Sequence, residues 1–336
     1  MALFRFLIFI FFLNCFGNVK NIGNEDCSQI GGPPGPEDFV IDRENGIMYI
    51  TSHERRKEGE FGSIYWIDLK QEEKKAYKFN MQYPSSFRPH GLSLANTKDG
   101  KKLYVISHLD DYFGEAHAIE VFKIEKSKLV HEKSMTNEFI VSPNDLYVTD
   151  DERIFISNDH GNGGKISQLF QDAFALDSSA VAYYDGNKWQ ELDEKIAFGN
   201  GIHHIEQDGK EFVYRASSLD KKVSKYKFSI KEGKPHLEFI KDFELNSMMD
   251  NFELDDNGNL IVVGHYSVIK FLRNKSSKDN LSPVQVFRID KNDNVKEIFS
   301  NSGELISSAS VSGIYKGRIY LGQVFEPFIL NCKAPE

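Results

Sequence analysis

The sequence predicts an all-β protein built as a single six-bladed β-propeller, on three observations. Short runs of β-branched and aromatic residues alternate with clusters of Gly, Asn and Asp, and long helical patterns are scarce. A unit recurs six times at intervals of about 50 to 59 residues, the size of a four-stranded blade. Two cysteines, Cys27 and Cys332, stand near opposite ends of the chain, where a closed ring has its seam.

Each copy of the unit is a polar pair, an apolar alternating run, a turn rich in Asp, Asn or Gly, and a second apolar run. Glu37-Asp38 leads into FVIDRENG and IMYITS, and His90-Gly91 into LSLANTKDG and KKLYVIS. Asn144-Asp145 leads into LYVTDDE and RIFIS, Asn200-Gly201 into IHHIEQDG and KEFVYRAS, and Asp250-Asn251 into FELDDNG and NLIVVG. Ser310 with VSGIYKG and RIYLG is a weaker sixth copy. The intervening runs GSIYWIDL with KKAYKFN, AIEVFKI with LVHEKSM, KVSKYKF with HLEFIKDF, and VQVFRID with VKEIFS supply outer strands. One segment departs from this pattern. Lys165–Leu176 places Ile166, Leu169, Phe170 and Phe174 on one helical stripe, which predicts a short helix over the channel mouth, either as packing or as a lid for an apolar substrate.

The N-terminal seventeen residues have the layout of a secretory leader. Arg5 precedes the apolar run Leu7–Leu13, and Cys15-x-Gly17 supplies small residues for a cut. The run is shorter than the ~20 apolar residues of a membrane span. Residues 1–17 are therefore read as a leader and 18–336 as the propeller, and the protein as exported. In an oxidising compartment the two remaining cysteines invite a disulfide. The 336 residues carry 50 Asp and Glu against 41 Lys and Arg, a formal charge of −9. That balance excludes a polyanion such as nucleic acid as the main partner and favours a cation or a neutral small molecule.

Some of the acid has a specific place. Innermost strands line the channel of a propeller, so equivalent positions form a ring: Glu37, Asp38, His90, Asn144, Asp145, Asn200, Asp250 and Asn251. Carboxylates and amide carbonyls are the hard oxygen donors of Ca²⁺, whereas Zn²⁺ would want more His or Cys. Like charges crowded on one axis also repel unless a cation holds them. His90 and His108 fall on neighbouring strands at one end, where one imidazole beside another can act as general base on water. Asp159-His160 and His265 occupy late positions of blades three and five, as reserve acid/base groups. No Gly-x-Ser-x-Gly elbow, phosphate loop or His-Glu-x-x-His helix is present. Asn274-Lys-Ser and Asn280-Leu-Ser are glycosylation sequons of an exported chain, the second weakened by Pro283.

GPEDFVID, FRPHGLSL, SPNDLYV, SNDH, FGNGI, MDNFELD and YKGRIYLGQVF, in this order over residues 27 to 332, resemble the motifs of the paraoxonase/arylesterase family. The resemblance implies two calcium ions in the channel. A catalytic ion would be held by Glu37, Asn144, Asn200, Asp250 and Asn251, and a structural one by Asp38, Asp145 and the Leu92 carbonyl. It also implies His90 and His108 as the catalytic pair, a Cys27–Cys332 bridge, and a leader that can serve as a lipid or membrane anchor if retained. The activity implied is hydrolysis of small-molecule lactones and aryl esters, with organophosphates as a side activity. Here the second histidine follows Ser107 rather than asparagine, the blade-five motif is Val263-Gly264-His265-Tyr266 without the usual cysteine, and the loop HERRKEGEFG after Ser52 is strongly charged. The competing readings are a gluconolactonase-like or strictosidine-synthase-like enzyme, and a calcium-bound binding propeller without turnover.

Overall fold

A computed structural model describes residues 19–57, 59–109, 116–125 and 128–335, for Asp193 through its backbone alone. The leader lies outside the described residues. Among the described residues, 24 strands form six four-stranded antiparallel sheets. The first blade is β2 (Pro36–Asp42), β3 (Ile47–Ser52), β4 (Ser63–Asp68) and β5 (Ala76–Lys78). The second is β6 (Pro89–Thr97), β7 (Gly100–His108), β8 (His117–Glu125) and β9 (Lys128–Met135). The third is β10 (Pro143–Val148), β11 (Ile154–Asn158), β12 (Asp177–Tyr184) and β13 (Trp189–Ala197). β14 (Gly199–Gln207), β15 (Lys210–Ser217), β16 (Lys222–Lys231) and β17 (Lys234–Glu244) follow as the fourth. The fifth is β18 (Met248–Leu254), β19 (Leu260–His265), β20 (Val284–Ile289) and β21 (Val295–Asn301). In the sixth, β22 (Ala309–Tyr315), β23 (Arg318–Gln323) and β24 (Phe328–Lys333) are completed by β1 (Ser28–Gly31) from the other end of the chain.

Hairpin turns of the expected chemistry connect the strands. Gln207 pairs with Lys210 across Asp208-Gly209, both at positive φ (52° and 69°), the primed turn whose twist matches that of its strands. The core is divided into six apolar clusters, one at each blade–blade seam. At the seam of blades five and six, for example, Ile261, Val263 and Val284 pack against Ile319, Leu321 and Leu330. Each blade thus buries both faces, which is why the strands read as near-continuous apolar runs.

The ring closes where β1 pairs with β24, Ser28 opposite Asn331 and Ile30 opposite Ile329. Cys27 and Cys332 form a disulfide across this seam, 305 residues apart in sequence, and Cys332 is wholly buried in the adjoining cluster.

Two helices lie among the described residues, and they qualify the reading of the sequence. α1 (Gly164–Phe174) connects β11 to β12, but its apolar stripe faces outward: Ile166 is 73% and Leu169 68% exposed. Polar contacts hold it instead. Gln171 Oε1 accepts from the Gly161 amide (2.9 Å) and the Ser178 hydroxyl (2.6 Å), and Asp172 meets His160 at 2.9 Å. Periodicity identified the helix, and of its two readings the exposed stripe removes the first, a face packed on the fold. α2 (Val268–Ser276), capped by Ser267, was not anticipated, because its stripe is short and follows a strand directly. It also removes one predicted modification site. Asn274 is 1% exposed, with its amide on the Asn280 carbonyl (2.8 Å) and its oxygen accepting from Ser308 (2.9 Å), so a glycan cannot be attached to the folded chain there.

All six inner strands carry a β-bulge at the same place, at Pro36/Asp38, Pro89/Leu92, Pro143/Asp145, Gly199/Ile202, Met249/Phe252 and Ala309/Val311. The polar pairs of the repeat sit in these bulges, where the backbone leaves the ladder and re-aims a side chain. Close packing around the axis follows from it. A Cβ on Gly91 would stand 2.7 Å from both the Asn144 carbonyl and the Asp145 Cα, and one on Gly201 2.5 Å from the Asp250 carbonyl.

Two stability predictions follow from seam and bulge. The double variant Cys27→Ser/Cys332→Ser should lose about 2–5 kcal/mol, read as a lower denaturant midpoint, since a cross-link over so long a loop restricts the unfolded chain strongly. Gly91→Ala should lower the melting temperature by the equivalent of about 1–3 kcal/mol, because the clash is with backbone that cannot rotate away.

Candidate active site

The bulges of five blades bring Glu37, Asp38, His90, Asn144, Asp145, Asn200, Asp250 and Asn251 together at the axis, and all eight are buried. In the upper layer Asn251 Nδ2 donates to Glu37 Oε1 (3.1 Å), and His90 Nε2 lies 3.4 Å from Glu37 Oε2. Asn200 Nδ2 donates to the Ser218 hydroxyl (3.2 Å), which in turn donates to the Met249 carbonyl (2.7 Å). Those bonds fix which end of the Asn251 and Asn200 amides is tied up. The carboxamide oxygens of Asn144, Asn200 and Asn251 are buried and accept no hydrogen bond. Buried acceptors are rarely left so, and three on one axis beside carboxylates fit a hard cation. Among the described residues no three His, Cys, Asp or Glu side chains form a ligand cluster. A metal here would therefore depend on the amide oxygens, which Ca²⁺ accepts readily and Zn²⁺ does not.

The lower layer is Asp38 and Asp145, held by a matching device on alternate blades. Asp38 accepts from its neighbour's amide at Phe39 (2.8 Å) and from Leu92 of the next blade (2.9 Å). Asp145 accepts from Leu146 (2.7 Å) and from Ile202 of the next blade (2.9 Å). Leu92 thus meets this pair through its amide. Burial, then Asp145 and Glu37, push the Asp38 carboxyl well above its usual range. Burial does the same to Asp145, with Glu37 and Asp250 adding to it against two amide hydrogen bonds. Asp250 is raised by burial, opposed by His265. Glu37 is the exception. Burial raises it, but His90, Arg55 and Asn251 together outweigh that and leave it lowered. Below this layer a cavity of about 270 Å³, lined by Val40, Leu94, Tyr147 and His203, leads to the opposite end of the channel.

The predicted histidine pair is present and extends to a third ring. His90 Nδ1 is 3.0 Å from His108 Nε2, and His108 Nδ1 is 2.9 Å from His117 Nδ1. His117 was missed because only strand register reveals it: it stands directly opposite His108 between β7 and β8. Burial first, then His90 and His117, hold His108 well below the usual imidazole range, so it is neutral at physiological pH. The reserve groups are separated. His265 Nε2 meets Asp250 Oδ2 at 2.8 Å, which makes it a partner of the ring. Asp159 instead joins Ser142 and His160, and His160 bridges it to Asp172 of α1 (2.7 and 2.9 Å). Burial opposes the charged form of His160, but the two carboxylates prevail and raise it to about 9. That pair is a clamp on the helix.

Known proteins are similar in sequence and in fold. The Arylesterase family model matches residues 41–333. Serum paraoxonase/arylesterase 1 of Rattus norvegicus is 29% identical and that of Homo sapiens 27%, each over 93% of this chain and 90% of the relative. Serum paraoxonase/lactonase 3 of Oryctolagus cuniculus is 26% identical, over 94% of this chain and 91% of the relative. Among solved structures, a gluconolactonase of Xanthomonas campestris aligns with a TM-score of 0.54 at 12% identity, over 96% of this chain and 99% of that one, a likeness of fold alone. With the bulged ring and its histidines in place, the match over most of the chain assigns this protein to the arylesterase family.

Proposed function

We propose that this protein is an exported, calcium-dependent hydrolase of carboxylic esters, acting on lactones and aryl esters. The observation that carries the reading is the set of buried, unpartnered amide oxygens of Asn144, Asn200 and Asn251 beside Glu37 and a histidine relay. Glu37, Asn144, Asn200, Asp250 and Asn251 would hold a catalytic ion, and Asp38, Asp145 and the Leu92 carbonyl a structural one. Bound there, calcium would polarise the ester carbonyl and stabilise the charge that develops on it.

The chain's own residues supply the proton transfer. With Nδ1–H directed at His108, and with calcium rather than His90 partnering Glu37 Oε2, His90 would present an unprotonated Nε2 to the axis. It takes a proton from the attacking water there and passes its Nδ1 proton to His108 Nε2. His108 passes its Nδ1 proton to His117, so the positive charge comes to rest one ring further from the cation. Asn144 and Asn200 orient substrate and water, and His265 steadies Asp250. A binding propeller without turnover would have no use for three imidazoles in series at the same end as the oxygen ring.

The leader-like residues 1–17 support export, and of the two sequons Asn280 is the exposed one. No helix among the described residues is long and apolar enough to cross a membrane. Lipid association would rest on a retained leader.

Purified protein should hydrolyse phenyl acetate and a panel of lactones, and lose that activity in chelator. No chelator-sensitive turnover on any of them would sink the reading. His90→Gln should lower kcat by about 10²–10⁴, the share of general base catalysis; full activity would sink the base assignment alone. Calcium should also show in stability. Without it, Asp38 and Asp145 bind protons more tightly folded than unfolded, where the ordinary value is 3.8. Their contribution is then present at low pH and lost as pH rises through the folded values. In chelator the melting temperature should fall as pH rises above the ordinary 3.8 through the folded values, and calcium should restore it most at the higher pH. A melting temperature indifferent to calcium at pH 7.5 would remove the metal assignment.

A further inference from the structure

The charged loop that follows β3 sets this chain apart from the family's pattern, and the fold places it at the rim of the site. Its two arginines have separate tasks. Arg56 anchors the loop: it pairs with Glu326, donates to the carbonyls of Asn274 (2.8 Å) and Lys275 (3.3 Å), and lies 4.8 Å over the Phe325 ring. Arg55 turns inward, and its side chain is only 12% exposed. It donates to the carbonyls of Gly35 and Pro89 (3.2 Å each) and stands 3.8 Å from Glu37 Oε2.

These partners position the guanidinium: the two carbonyls are uncharged, and Glu37, which it ion-pairs at 3.8 Å without a hydrogen bond, belongs to the set that would hold the metal. Arg88 adds a second charge nearby, held by the Leu109 carbonyl (3.1 Å) and the Phe61 ring (5.0 Å). The resulting potential is felt by His53, which burial, then Arg55 and Arg88, hold down to about 4. A chain of net charge −9 therefore presents cations at the entrance to its site. A guanidinium's fixed fork of donors matches a carboxylate, and it acts most strongly where water is scarce.

We propose that Arg55, supported by Arg88, makes this enzyme selective for esters and lactones that carry a carboxylate beside the scissile bond. The inference rests on the hydrolase reading above and narrows its substrate class.

The test compares γ-butyrolactone with the lactone of 2-hydroxyglutarate, which differs by one carboxylate. In the wild type kcat/KM should favour the carboxylated lactone by about tenfold or more, and the preference should shrink with added salt. Arg55→Gln should bring the ratio close to one, and Arg55→Lys should restore part of it, since a point charge lacks the fork. A wild-type ratio of one or less, or a ratio that Arg55→Gln leaves unchanged, overturns the inference while turnover of either lactone sustains the hydrolase reading. If no ester or lactone is turned over, that reading fails, and calorimetric titration of the calcium-loaded protein with glutarate decides the inference. Saturable binding weakened about tenfold by Arg55→Gln supports it; absence of binding to the wild type overturns it.

Discussion

Four carboxylates, Glu37, Asp38, Asp145 and Asp250, are buried on one axis, and the structure around them is arranged to make that tolerable. Desolvation and mutual repulsion would each keep such groups protonated. Two remedies are built into the chain. Backbone amides from the next blade reach Asp38 and Asp145, and amide side chains and imidazoles partner Glu37 and Asp250. What these leave unsatisfied, the oxygens that accept nothing, is what a hard cation would take. The same feature thus costs stability and defines the chemistry of the channel.

The bulge is the device that makes the ring possible. A regular strand would send alternate side chains into the seams between blades, and no two adjacent residues could address the axis. By breaking register at one point in every inner strand, the fold places a polar pair there while the rest of the strand stays apolar. Gly91 and Gly201 belong to the same arrangement, since any side chain would strike the neighbouring blade's backbone at the ring. Catalytic geometry and blade packing are therefore one problem in this molecule. The sixth blade contributes Ser310, whose hydroxyl donates to the Glu37 carbonyl (2.5 Å), so the weakest copy of the repeat supports the ring from outside it.

Closure carries the rest. A ring of polar side chains drawn from five blades holds its shape only if the blades cannot splay, and β1 on β24 with the Cys27–Cys332 bridge prevents that. Helices placed at the site's end of the blades then adapt the rim. α1 is clamped through His160 and Asp172, and α2 receives Arg56, which in turn fixes Arg55 over the channel.

Much of this was legible in one sequence, because a propeller repeats itself. Recurrence separated the polar pairs at Glu37, His90, Asn144, Asn200 and Asp250 from ordinary turn residues, and alternation with Gly-rich turns identified the blades. Local pattern determined those features, so they could be read locally. What only the tertiary structure decided depends on contacts distant in sequence or on register. His117 joins the relay because it faces His108 across two strands, a pairing that composition does not encode. The stripe on α1 has the right period for a buried face yet points to solvent, because the helix is held to the fold by Gln171 and Asp172 instead. Asn274 looks like an exposed sequon until α2 buries it against Ser308. Arg55 and Arg56 are neighbours in one charged run, and only the closed ring sends one into the channel and the other to an anchor on another blade.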